Sequence, residues 1–291
     1  MRCVLLCLSL LLGQAISSFG QDTIPKPDRL KNIALYGGIG YGTSMFILSQ
    51  AWYKEQGFDR FKFFNDNAEW KQVDKLGHVF TTYNFSRVNY ELLRHTHLSD
   101  HKAIAWSSAL STLLLLPVEI LDGFSPGFGF SYGDMIANAA GSGLFFMQQK
   151  AWNEQRIKIK WSFHETSLAS QRPNLLGNGL LEELLKDYNG QTYWASFDIH
   201  AFAKESRFPK WLNLAIGYGA QNMVFARDDQ NINAGFNNFR QYYFGIDFDL
   251  SYIETDKKWL KVLLFMADMI RLPAPALELS KNGVKAHLLH Y

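Results

Sequence analysis

The stretch Tyr242-Tyr243-Phe244-Gly245-Ile246-Asp247-Phe248-Asp249-Leu250-Ser251-Tyr252 decides how the back half of the chain folds. Tyr242, Phe244, Ile246, Phe248, Leu250 and Tyr252 alternate with Tyr243, Gly245, Asp247, Asp249 and Ser251. A period of two marks a β-strand with one apolar and one polar face, because successive side chains point to opposite sides. A helix would scatter these residues around its axis.

The alternation recurs outward from this stretch. Ile157, Ile159, Trp161 and Phe163 alternate with Lys158, Lys160, Ser162 and His164. Tyr193 to Phe202 and Leu212 to Ala220 repeat the pattern, and Val284 to Tyr291 reads as a last strand with a terminal aromatic. One amphipathic helix, Trp259 to Ile270, interrupts the series and stops at Pro273 and Pro275.

Two readings of these strands compete. Outer-membrane strands alternate in this way and carry aromatics at both ends; Tyr193, Trp194, Phe202, Trp211, Tyr218, Tyr242 and Tyr252 suit such girdles. The other reading is an antiparallel sheet with one face on a helical bundle and one in solvent. The recognisable strands are too few for a closed membrane barrel, which weighs toward the second. An incomplete sheet resting against a membrane reconciles both.

Ahead of Trp152 the pattern is helical. Pro25, Pro27 and Asp28 form a helix entry, and Ile33 to Tyr53 carries no charge and is long enough to span a bilayer. Gly38 and Gly42 in it form a G-x-x-x-G pair that lets helices approach closely. A second helix is expected from about Ala68 to Arg94. A third starts at Ser99, with Pro117 kinking or closing it. A fourth starts at Ser131, where Ser131-x-x-Asp134 fits a capping box. The fold expected is α+β: an N-terminal bundle of about four helices, partly membrane-like, then antiparallel strands with outer-membrane-like alternation.

Composition narrows the function. The chain has 291 residues, a formal net charge of +2, 47% hydrophobic, 15% aromatic and 19% charged residues. So much apolar material excludes disorder, and the near-neutral balance gives no basic stripe for nucleic acid. A mean hydropathy of -0.13 argues against a wholly helical polytopic membrane protein. Residues 1–20 read as a signal peptide: Arg2, an apolar run from Val4 to Leu12, and Ser18-Phe19-Gly20 for cleavage. Cleavage would remove Cys3 and Cys7, leaving no disulfide, thiolate ligand or cysteine nucleophile. The parts are then 21–152, helical, and 153–291, β.

Three helices each bring polar groups into apolar surroundings. Asp74 and His78 are spaced i,i+4 and share one face; Glu119 precedes Asp122 at a helix exit; Asp134 and Asn138 are again i,i+4. Lys75 is the cation at hand, and Ser131 the cap. One reading is a polar centre in which His78, as general base or ligand, works beside Asp74, Glu119, Asp122 and Asp134. The other assigns Asp134 to its cap, Asp122 to a turn and Asp74-His78 to a structural pair. Asp-x-x-x-His alone is not a metal pattern, so no metal is expected. No G-x-G-x-x-G loop exists, so no nucleotide cofactor is expected either. Asp187 to Trp194 is a dense polar-aromatic stretch that suits a sugar, or more simply a turn entering a strand.

Three spaced motifs carry a resemblance: Asp74-Lys75-Leu76-Gly77-His78, Glu119-Ile120-Leu121-Asp122-Gly123, and Gly129-Phe130-Ser131-Tyr132-Gly133-Asp134 followed by Asn138 and Gly141. Over roughly residues 30–150 the sequence resembles the YfiM-type predicted periplasmic lipoproteins, a domain family of unknown function distantly similar to VanZ-like envelope proteins. The resemblance implies a cell-envelope location, at the outer membrane or its periplasmic face, and raises the weight on the polar centre. It implies no reaction. The chain departs from a lipoprotein in lacking a convincing acceptor cysteine, so anchoring falls to apolar surface. The expected role is a membrane-associated structural or lipid-interacting protein, with membrane lipid or envelope glycan as partner; the alternative is an enzyme on an envelope lipid or glycan.

Overall fold

The computed structural model describes residues 27–52 and 57–291. The signal-peptide reading and both cysteines lie outside them. The elements are α1 (Pro27–Trp52), β1 (Phe63–Phe64), α2 (Val73–Leu93), α3 (Asp100–Phe124), β2 (Phe130–Ser131), α4 (Tyr132–Trp152), β3 (Ile157–Phe163), β4 (Gln191–Phe197), β5 (Leu212–Gln221), β6 (Phe239–Phe248), α5 (Lys258–Ala267), β7 (Ala274–Ser280) and β8 (Gly283–His290), with short helical turns between. The protein is α+β, its antiparallel six-stranded sheet following the helices. Two compact units share the chain. Described residues up to Asp66, Thr81–Asn153 and Thr255–Leu263 form the first; Asn67–Phe80, Glu154–Glu254 and Leu264–Tyr291 form the second.

In the first unit, β1 and β2 pair in parallel, Phe63 with Phe130 and Phe64 with Ser131. Pro117 neither closes nor ends α3, which runs on to Phe124. Proline removes one backbone donor, and the Tyr41 hydroxyl donates to the Leu114 carbonyl, 2.7 Å, in the turn so disturbed. The buried faces of α3 and α4 are unusually polar. Ser107, Ser108, Ser111 and Glu119 line one; Asp134, Asn138, Ser142, Gln148 and Gln149 line the other. Thr112 and Ser142 hydrogen-bond across at 2.8 Å. Trp106, Leu113, Ile136 and Met147 are exposed.

In the second unit, α2 begins at Val73 rather than near Ala68. Trp70, Lys71 and Gln72 all have positive φ (46°, 49° and 64°), a left-handed turn that no helix can include. Partners hold it: the Trp70 N–H donates to the Ala226 carbonyl at 2.8 Å, Lys71 meets Asp228 at 2.6 Å, and Arg240 donates to Gln72 Oε1 at 2.7 Å. Val73 then packs into a cluster with Tyr193, Ala220 and Met223.

The sheet runs in chain order from β3 to β8, every neighbour antiparallel. β4 stops at Phe197, short of Phe202, because Asp198 accepts the Ala201 N–H at 2.8 Å and caps a short helix. β6 likewise stops at Phe248; the Asp249 carboxylate accepts the Ser251 N–H at 2.9 Å and turns the chain. β7 lies in a segment whose Pro273 and Pro275 read in the sequence only as a helix stop. Its prolines sit at the strand's start, where a missing donor is tolerated.

The faces of this sheet are inverted. On β3 the buried side chains are Lys158, Lys160 and Ser162, while Ile157, Ile159, Trp161 and Phe163 face outward, part-exposed. On β6 Gln241, Tyr243 and Asp247 are buried, whereas Tyr242 and Phe244 are exposed. On the apolar phase, Tyr193 is buried against Val73, Leu76 and Phe80 at the start of α2, while Ile216, Phe244 and Leu277 are exposed. Charge pairing explains the choice. Lys158 reaches Asp249 at 2.6 Å and Asp268 at 2.9 Å; Lys160 reaches Asp247 at 2.7 Å and Asp268 at 3.1 Å. Arg271 lies 3.9 Å from the Trp194 ring centroid and donates to the His290 carbonyl at 2.6 Å.

Candidate functional site

The first unit gathers carboxylates. Glu119, on the last turns of α3, is fully buried. Asp134 stands in the first turn of α4, whose N-cap is Ser131 as the capping box requires: Ser131 Oγ accepts the Asp134 N–H at 3.1 Å. The same Oγ donates to Asp66 Oδ1 at 2.6 Å. Asp134 thus brings a carboxylate oxygen within 4.8 Å of one from Glu119, and one within 4.8 Å of Asp66. Asn138, one turn along α4, is fully buried. Asp122 lies at the end of α3, where its backbone carbonyl accepts the Ser125 N–H at 3.0 Å, so its place is a helix terminus.

Glycines at the end of α3 and before β2 admit aromatic rings close to the backbone. A Cβ on Gly123 would lie 2.3 Å from the Phe61 ring, and one on Gly129 2.3 Å from Phe64 Cβ. Phe61 meets Phe124 edge-on at 5.2 Å, and Phe63 stacks on Tyr132 at 5.1 Å with 7° between planes.

In the second unit, Asp74 and Lys75 form an ion pair at 2.8 Å on the first turn of α2. Leu76 packs against the Val73–Tyr193 cluster. A Cβ on Gly77 would stand 2.9 Å from the Tyr193 hydroxyl, so glycine at this position lets the tyrosine lie against the helix. His78 follows on α2, half-buried.

A family model described as predicted periplasmic lipoprotein (DUF2279) matches residues 62–150. The match takes in Asp66, the Asp74–His78 motif, Glu119, Ser131, Asp134 and Asn138, and ends within α4. Its description supports an envelope location and carries no activity. Comparison with curated proteins and with solved structures finds no match.

Among the sequence-nominated residues, the structure brings Glu119 and Asp134 together, adds Asp66 to them through Ser131, and pairs Asp74 with Lys75. Asp66 was legible only as part of the turn Asn65-Asp66-Asn67, a composition that announces a loop and not a site. Asp187 to Trp194 is tied into the fold by its own hydrogen bonds. The Asp187 carboxylate accepts from the Asn189 side chain at 2.7 Å, and Asn189 clamps both the N–H and the carbonyl of Met223 at 2.8 Å. Trp194 is buried among Ser162, Tyr243 and Arg271. The buried charges of the second unit were visible in sequence as the polar phase of each strand, with no sign that this phase points inward.

Proposed function

We propose that this protein is a membrane-inserted component of the cell envelope that meets lipid through its outward apolar surfaces. The inverted sheet carries the reading: buried lysines and aspartates inside, isoleucine, phenylalanine and leucine outside. Water-soluble sheets put the apolar phase inward, because burying it is the main driving force for folding. In a hydrocarbon environment that force vanishes at the outer surface, and polar groups seek one another inside. The outer face also has the zoning of a membrane strand. Trp211 stacks on Phe248 at 6.0 Å at one end, and Tyr218 meets Tyr242 at 5.5 Å at the other. Ile216, Phe244 and Leu277 are exposed between them. Trp211 and Tyr218 are separated by roughly 23 Å at about 3.3 Å per residue, close to the apolar band of a membrane barrel, about 25 Å. The polar-inside helices of the first unit support the same reading, and α3 is, among the described residues, long and apolar enough to cross a membrane. The likeness to YfiM-type and VanZ-like envelope proteins points the same way, and the outer membrane is the site we assign.

Alkaline extraction tests it. The protein should stay with membranes and need detergent for release; appearance in the soluble fraction would sink the proposal. Ile216→Lys with Phe244→Lys sharpens the test. Lysine at mid-membrane costs about 2–4 kcal/mol per residue, so retention should fall, whereas the same change on a water-facing sheet would be harmless.

A second reading rests on the crowding of Asp66, Glu119 and Asp134: an enzyme acting on an envelope lipid or glycan through carboxylates that share a proton, with Asp74, His78 and Asp122 as sequence-nominated members. Glu119→Gln and His78→Ala, each folded and membrane-retained, should alter the lipid or peptidoglycan profile of a complemented deletion strain. An unchanged profile for both removes this reading.

A further inference from the structure

The helix α5 is amphipathic, yet its apolar stripe is turned outward. At about 100° per residue, Lys258 and Lys261, with Lys257 just ahead of the helix, fall on one side. Trp259, Leu263 and Met266 fall on the other. Val262 is the one buried residue of the ten. Trp259 is 54% exposed and Leu263 51%, and all three lysines are exposed. A surface helix of a water-soluble domain turns its apolar stripe to the core.

The lysines do not serve the helix itself. Cations at the first turn oppose the helix dipole, and none of the three makes an ion pair among the described residues. Glu254 and Asp256 belong to the connection before the helix, and within Lys257 to Ala267 every formal charge is positive. Asp268, just past the helix, is already paired: it reaches Lys158 at 2.9 Å and Lys160 at 3.1 Å. The chain arrives at α5 from Phe248, which stacks on Trp211 at one aromatic end of the outward face, and Ile253 on the way is 50% exposed.

We propose that α5 is an interfacial helix lying on a bilayer surface, its lysines on the phosphates of anionic phospholipid headgroups and Trp259 and Leu263 at the acyl boundary beneath them. The inference rests on the membrane reading above and names the lipid that this part of the chain meets. Charge complementarity selects the occupant. A neutral bilayer would take up Trp259 and Leu263 but offer three unpaired ammonium groups no counter-charge, whereas an anionic one satisfies both sides of the helix. Helices with lysine on the polar side and tryptophan and leucine on the other sink about 5–10 Å into that boundary, where the indole ring is favoured.

A polarity-sensitive dye on Leu263→Cys in the full chain, reconstituted into vesicles, tests the contact; the unsubstituted chain labelled in parallel gives the background from Cys3 and Cys7. In vesicles of equal parts phosphatidylcholine and phosphatidylglycerol the dye should report an apolar setting and be quenched by a spin label at headgroup level. Each lysine near an anionic surface is worth about fivefold in the docked-to-free ratio, so Lys257→Gln, Lys258→Gln and Lys261→Gln together should lower it about a hundredfold. The unsubstituted lysines in phosphatidylcholine alone should give the same loss. A dye equally docked in phosphatidylcholine alone, or unmoved by the triple change, overturns the anionic headgroup as occupant. A dye in water in every vesicle overturns the interfacial helix. Both results leave the membrane reading standing if the protein stays with the vesicles. Release of the protein from them by alkaline wash overturns the membrane reading itself, and the proposal with it.

Discussion

Lys160 Nζ lies 2.7 Å from Asp247 Oδ2, both side chains buried, on the face of the sheet opposite exposed Phe244 and Leu277. The same lysine reaches Asp268 and the Phe248 carbonyl, and Ser196 donates to Asp247 at 2.7 Å. A charge so placed is tolerable only while its partners remain.

Removing one partner should therefore be worse than removing both. Lys160→Met or Asp247→Leu alone should cost about 3–5 kcal/mol, the usual penalty for stranding a buried charge. The double variant should recover much of that loss. Unfolding in detergent micelles, followed by near-UV circular dichroism, gives the three values.

Gly217 tests the packing above that pair. A Cβ built there would meet the Trp194 ring at 2.7 Å, and Trp194 stands directly opposite it in register on β4. Gly217→Ala should lower stability by about 1–3 kcal/mol through overpacking. The Trp194 indole, which donates to Ser162 at 2.9 Å, would have to move; a shifted tryptophan emission is the accompanying sign.

The left-handed turn at residues 70–72 should respond to acid. Burial alone would raise the Asp228 carboxyl pKa, but hydrogen bonds from Lys71 and Asn238 outweigh it and hold it below the ordinary aspartate value. A carboxyl depressed on folding adds stability above its unfolded pKa of about 3.9, and that stability is lost as pH falls through the lower folded value. Hydrogen exchange at the Trp70 amide, which donates to Ala226, should thus quicken only below about pH 3.9. In Asp228→Asn that acid-dependent step should be absent.

Ser131 serves two partners with one hydroxyl. Ser131→Ala removes the acceptor for the Asp134 N–H and the donor to Asp66 together. A loss of about 1–2 kcal/mol is expected, with Ser131→Thr restoring most of it. A thermal shift assay on the detergent-solubilised protein reads both.

Much of this was legible in the residues. Ser131-x-x-Asp134 predicted the α4 cap because a capping box is local, needing only residues three apart. Asp66 was not legible as a site member, since its partner Ser131 is 65 positions away and no local pattern links them. The left-handed turn escaped notice because Trp, Lys and Gln seldom adopt positive φ; long-range bonds impose it. β7 was missed because proline at a strand start resembles proline after a helix.

By itself the sequence determined that Tyr242 to Phe248 would alternate, since a strand's period of two is a property of the backbone. It could not determine which phase faces inward: the two faces of a strand are equivalent until something packs on one. Tertiary structure decided that, by bringing Lys158 to Asp249 and Asp268 across separations of 91 and 110 residues. Once those charges meet, their mutual attraction and shared desolvation hold the polar phases of β3 and β6 inward. The apolar phase of β6, with Tyr242 and Phe244, is left facing outward.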